Sequence, residues 1–120
     1  MASRAREDEG AATAELALGI PLLVALTVGL VWVLAVGAAQ VRVIDASREA
    51  ARAVARGDDE AVAEAVALRI APGQARVRIE VVDNRVVVTT TARVSGPEGL
   101  LASLPGVTVT ADAVALMEAS

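Results

Sequence analysis

The chain contains no cysteine, no histidine, no tyrosine, no phenylalanine and no lysine, and Trp32 is its only aromatic residue. Without cysteine there are no disulfides and no thiol chemistry; without histidine there is no imidazole base and no usual zinc site. The ionisable side chains reduce to arginine, aspartate and glutamate. Eleven arginines with no lysine reflect nucleotide-composition bias as much as any use of the charge. A net charge of −4 and the missing aromatics argue against nucleic-acid binding. No nucleophile–base pair, metal-ligand set or phosphate loop is visible, so the sequence gives no support for an enzyme or for a cofactor.

Charge is also missing locally. Residues 16–39 include no ionisable side chain, and at ~1.5 Å per residue such a helix measures roughly 36 Å. A hydrocarbon core is about 30 Å thick, so the run is a membrane-span candidate. Beyond it remain roughly 80 residues, enough for one small domain. Its apolar residues are mostly alanine and valine, which bury little area each and leave a core that leans on neighbours or on anchoring.

The chain divides into four zones. Residues 1–10 are charged, with Arg4 and Arg6 ahead of Glu7, Asp8 and Glu9, and lack apolar periodicity; this zone is expected to be disordered. A single long helix is expected over about 12–56. It is apolar over 11–39 and amphipathic over 40–57, where Val41, Ile44, Ala51 and Val54 alternate with charged residues, and Gly57 stops it. Pro21 removes a backbone donor and should kink or loosen the helix. The third zone opens on Asp58-Asp59-Glu60, acids suited to a helix N-terminus, after which Val62, Ala65, Val66 and Ile70 recur at helical spacing. The last zone is β. Val77, Ile79 and Val81 form one strand, Asp83-Asn84 a turn, 86–94 a second strand and 107–117 a third. The expected class is therefore α+β: a long N-terminal transmembrane and amphipathic helix, a short second helix and a small three-stranded antiparallel sheet, with 58–120 as the small α+β domain.

The segment Asp8-Glu9-Gly10-Ala11-Ala12-Thr13-Ala14-Glu15-Leu16-Ala17 pairs a charged leader ending in glycine with a glutamate five positions on, heading an apolar run. This pattern resembles the type IV prepilins. With Pro21 and the looser stretch from Gln40-Val41-Arg42 through Asp45-Ala46-Ser47-Arg48-Glu49-Ala50-Ala51-Arg52 to Ala55-Arg56-Gly57-Asp58, it resembles the TadE-like family of pilus assembly proteins, small pilin-like proteins of tight-adherence, Flp-type systems, especially the actinobacterial members. The resemblance implies a prepilin leader over 1–10, cleavage by a prepilin peptidase between Gly10 and Ala11, and a minor pilin or pseudopilin. Implied partners are that peptidase, other pilin subunits, the pilus assembly machinery and the membrane. Implied localisation is a single-pass cell-membrane protein with its C-terminal domain outside the cytoplasm, or an extracellular pilus. Glu15 would neutralise the new terminal amine of a neighbouring subunit. A charge in the bilayer is costly unless paired, so this pairing would fix register.

Plainer readings compete. Glu15 is also what a first-turn acid of a membrane helix looks like. Gly37-Ala38-Ala39 offers small residues for an ordinary signal cleavage before Gln40, but the apolar run exceeds a signal's 7–15 residues and its preceding residues are acidic. Arginine counting alone favours the opposite orientation, because Arg42, Arg48, Arg52 and Arg56 flank the far end of the run. The alternative function is an uncleaved single-pass accessory protein of a secretion system.

Ala25, Gly29 and Gly37 are candidates for close helix packing. Mid-run Trp32 reads as a packing residue, and Arg48, Arg52 and Arg56 as a solvated helix face. Asp58, Asp59 and Glu60 suit capping better than a cation site. Leu100, Leu101 and Leu104 suit cover for one sheet face.

Overall fold

A computed structural model describes residues 2–97 and 105–118. The elements are α1 (Ala2–Ala55), α2 (Glu60–Ile70), β1 (Arg76–Val82), β2 (Arg85–Val94) and β3 (Val107–Leu116). The α+β layout is the one expected from the sequence. The molecule is a rod of 90 × 20 × 19 Å, because α1 is 54 residues long and only part of it is packed. Leu100, Leu101 and Leu104 lie outside the described residues.

Residues 2–10 belong to α1, which corrects the expectation of disorder there. Local propensity explains the difference: arginine, glutamate and alanine are good helix formers, and a helix needs no apolar face when it continues one already nucleated. The other end of α1 closes as expected on Gly57. Its φ of 103° is left-handed, and its N–H donates to the carbonyl of Val54 at 2.9 Å while the N–H of Asp58 reaches that of Ala53 at 3.0 Å. This paired closure satisfies carbonyls that the last helical turn leaves open, and glycine adopts it without a Cβ penalty.

The chain then turns back into α2, with Asp59 at the N-cap position. Its backbone is extended, yet its side chain makes no capping hydrogen bond. The buried face of α2 differs from the expected one. Ala63 and Ala67 are fully buried, Val66 and Ile70 only partly, and Ala65 and Val62 (52%) are exposed. The reason is distance: α2 lies against α1 at a seam that includes Ala46, Ala50 and Ala53, and only methyl-sized side chains let two backbones come that close.

The sheet is an antiparallel meander in the order β1-β2-β3. Asp83 and Asn84, both at positive φ, form the tight turn between β1 and β2. Two-residue hairpins favour such geometry because its twist matches that of the strands. Val86, Val88, Thr90 and Ala92 of β2 face α1, and the register sets them beside Val77 and Ile79 of β1 and Ala115, Ala113, Ala111 and Val109 of β3. The largest fully buried side chains are Val43, Val86, Val88, Thr90 and Ser47, so the core is built from small residues as its composition implied.

One polar cluster crosses this core. The hydroxyl oxygen of Ser47 lies 2.7 Å from Thr90 Oγ1 and 2.9 Å from the carbonyl oxygen of Ala111. A carbonyl only accepts and serine has one hydroxyl proton, so Ser47 donates to Ala111 and accepts from Thr90. At the margins, Gln40 Nε2 donates to the carbonyl of Thr110 at 3.1 Å. Arg42 Nε donates to the carbonyl of Ile70 at 3.0 Å, placing a cation at the negative end of α2.

Candidate assembly segment of the long helix

The packed part of α1 starts well inside the apolar run. Val36, Ala39 and Val43 cluster with Ala92, Val94 and Val109, and Trp32 Nε1 donates to the carbonyl of Ser95 at 2.8 Å. Trp32 is thus the packing residue expected from its position. From Trp32 the contact stripe climbs through Val36, Ala39, Val43, Ala46 and Ala50, in steps of three and four as one face of a helix requires. Before Trp32 cover thins out: Ala25, Val28 and Gly29 are half-buried, and Pro97 borders a shallow depression with Thr27, Val28 and Val31. Leu16, Leu18, Ile20, Leu22, Leu23, Leu26 and Leu30 are all exposed, an apolar surface with no cover among the described residues. This helix is long and apolar enough to cross a membrane.

Glu15 stands where that bare surface begins. It is exposed and has no ion-pair or hydrogen-bond partner among the described residues. Ala11 precedes it by four residues, one helical turn, so the two lie on the same side of α1. Gly10 is helical and exposed, and a Cβ built there would meet nothing within 4 Å. Glycine in mid-helix costs about 1 kcal/mol relative to alanine, so the Gly10–Ala11 peptide is an intrinsically weak point.

Pro21 lies within α1, which continues past it. Having no N–H, Pro21 leaves the carbonyl of Ala17 without its helical donor. Ala25 and Gly29 are half-buried and lie on the side that leads into the Trp32 stripe, whereas Gly37 is exposed, with nothing within 4 Å of a Cβ built there. The three small residues therefore do not share one environment. The arginine face expected to be solvated is so: Arg52 pairs with Glu49 at 3.1 Å and Arg56 with Asp58 at 3.5 Å, all partly exposed.

The family model for TadE-like proteins matches residues 10–52. This segment is TadE-like. The match opens on Gly10, takes in Glu15 and the whole apolar run, and ends three residues short of the last helical residue of α1. Neither curated proteins nor solved structures yield a match to the chain. The TadE-like family is tied to Tad pilus systems and is not a family of enzymes.

Sequence reasoning missed the bonds that join the TadE-like helix to the sheet: Trp32–Ser95, Gln40–Thr110 and the Ser47 cluster. A faint signal existed for one of them. Ser47 is four residues after Val43 on the buried stripe, where a hydroxyl needs a partner.

Proposed function

We propose that the chain is a minor pilin or pseudopilin of a Flp, tight-adherence type IV pilus system, processed by a prepilin peptidase after Gly10 and taking part in pilus assembly. The observation that carries this reading is Glu15: a carboxylate with no partner among the described residues, one turn beyond Ala11, at the head of an exposed apolar stretch of helix. Cleavage would put a new amine at Ala11. In a bundle of such helices the Glu15 carboxylate of one subunit meets the amine of its neighbour, and a subunit out of register leaves two unpaired charges at low dielectric. Pro21 supplies a weak point in the apolar helix, while Ala25, Gly29 and Gly37 let neighbouring helices approach. The domain from residue 58 onward then lies outside the cytoplasm, either at the membrane surface or on the filament.

One observation favours a second reading, an uncleaved single-pass accessory protein. α1 runs continuously through Gly10 and Ala11, and a peptidase must unwind that peptide before cutting it. Incorporation separates the two. In cells that assemble the pilus, Glu15→Ala should be processed normally yet missing from sheared filaments, and Glu15→Asp partly retained. Equal recovery of wild type and Glu15→Ala in the filament fraction would remove the pairing argument.

A further inference from the structure

The outer face of the sheet carries charge unevenly. Arg76 and Arg93 lie at one end with Thr91 and Thr108, around a shallow depression of about 550 Å³ that Gln74 also borders. Register puts Arg76 beside Thr91 and Arg93 beside Thr108, so both guanidinium groups and both hydroxyls share this face. Neither Arg76 nor Arg93 has an ion-pair partner among the described residues, whereas Arg78, one row along, is paired with Glu80 at 2.6 Å. Arg93 folds over the backbone of Gly106, where a Cβ would come to 3.1 Å from its Nε.

The height of this depression along the rod decides its use. Ala92 and Val94, on either side of Arg93, pack with Val36, Ala39 and Val43. Gln40, the first polar residue after the apolar run, bonds the carbonyl of Thr110, which pairs with Thr91. Arg76 and Arg93 are therefore level with the last turn of the apolar run. The apolar stretch below Trp32, residues 16–31, is mostly exposed and measures only about 24 Å at 1.5 Å per residue, less than a hydrocarbon core of about 30 Å. Inserting the run to satisfy that thickness seats this end of the sheet at the lipid headgroups.

We infer that Arg76 and Arg93, with Thr91 and Thr108, form a binding site for the phosphate of an anionic phospholipid headgroup. Guanidinium groups bind phosphate through charge-assisted, paired hydrogen bonds, and hydroxyls complete the oxygen contacts. The chain as a whole carries −4, so bulk charge repels anionic lipid and a preference for it must come from a local site. The site also gives arginines on the far side of the run a role independent of topology. It rests on the membrane-inserted reading of α1.

Trp32, the only fluorophore, lies within two to three turns of the site's level and reports on it. The full chain is reconstituted in phosphatidylcholine vesicles containing a minor fraction of either phosphatidylglycerol or phosphatidylcholine dibrominated high in the acyl chain. Two arginines near a membrane surface correspond to a preference of about thirtyfold, read as stronger Trp32 quenching by the brominated phosphatidylglycerol. Arg76→Gln/Arg93→Gln should quench equally with both lipids, and Arg52→Gln/Arg56→Gln at the far end should behave as wild type. Equal quenching by both lipids in the wild type overturns the site while leaving insertion intact. Equal loss in the distal variant overturns it in favour of general charge. Abolition of the preference by millimolar glycerol 3-phosphate makes it a soluble-phosphate site and overturns the lipid assignment. No quenching by either lipid means α1 is not inserted, and the membrane reading fails together with the site.

Discussion

Trp32 Nε1 donates a 2.8 Å hydrogen bond to the carbonyl oxygen of Ser95, sixty-three positions along the chain. This bond marks where α1 changes from a free apolar rod to the spine of a folded unit. Below it the large apolar side chains are exposed; above it the stripe from Val36 to Ala50 meets the sheet or α2. Trp32→Phe keeps most of the apolar contact and removes the donor. A loss of about 1 kcal/mol is expected, the usual net worth of such a bond. Far-UV circular dichroism of denaturant unfolding in detergent measures it without needing the lost fluorophore.

The Ser47 cluster has a stronger signature. Ser47→Ala leaves the buried Thr90 hydroxyl without its partner and removes the donor to the Ala111 carbonyl. A cost of about 1–3 kcal/mol is expected from the unsatisfied groups. Replacing both as Ser47→Ala/Thr90→Val should cost less than the two single changes summed, because the second removes a group the first had orphaned. Thermal unfolding of the four proteins in the cycle supplies the comparison; strict additivity would show that the hydroxyls do not interact.

The helix seam predicts a contrast between adjacent residues. Ala63→Leu forces extra volume between α1 and α2 and should destabilise by about 1–3 kcal/mol. Val62→Leu, on the exposed side, should be close to neutral. If Val62→Leu were the damaging change, the buried face of α2 would be the one expected from apolar periodicity and not the alanine seam.

Asp59 provides a smaller test. N-cap aspartates are commonly worth about 1 kcal/mol, mostly through a side-chain hydrogen bond that Asp59 does not make. Asp59→Ala, which removes the side-chain acceptor and the charge together, should shift stability only by the few tenths of a kcal/mol of its dipole interaction. A full cap-sized loss, seen in the thermal midpoint, would mean the bond forms in solution.

Much of this architecture is readable in the sequence because its signals are local. Gly57 ends α1 through its own backbone freedom, and Asp83-Asn84 turns the hairpin for the same kind of reason. The alternation in β1 and β2 sets which residues face inward. Periodicity misleads at the buried face of α2 because it ranks residues by hydrophobicity, while a close helix pair selects by size; Val62 loses to Ala63 on volume. Composition misleads at the charged stretch before Gly10 because the stability of its helix comes from the helix it extends, which a ten-residue window does not contain. Gly10 and Glu15 are legible as a spacing, and residues 10–52 carry the family match. The level of Arg76 and Arg93 on the rod is not legible, since it depends on how three strands register against α1.

Processing between Gly10 and Ala11 is the central claim, and the mature N-terminus tests it most directly. Mass spectrometry of the protein recovered from pilus-expressing cells should show Ala11 as the first residue, with that form lost in Gly10→Arg. An N-terminus at Met1 or Ala2 in those cells, with the pilus machinery active, would contradict it.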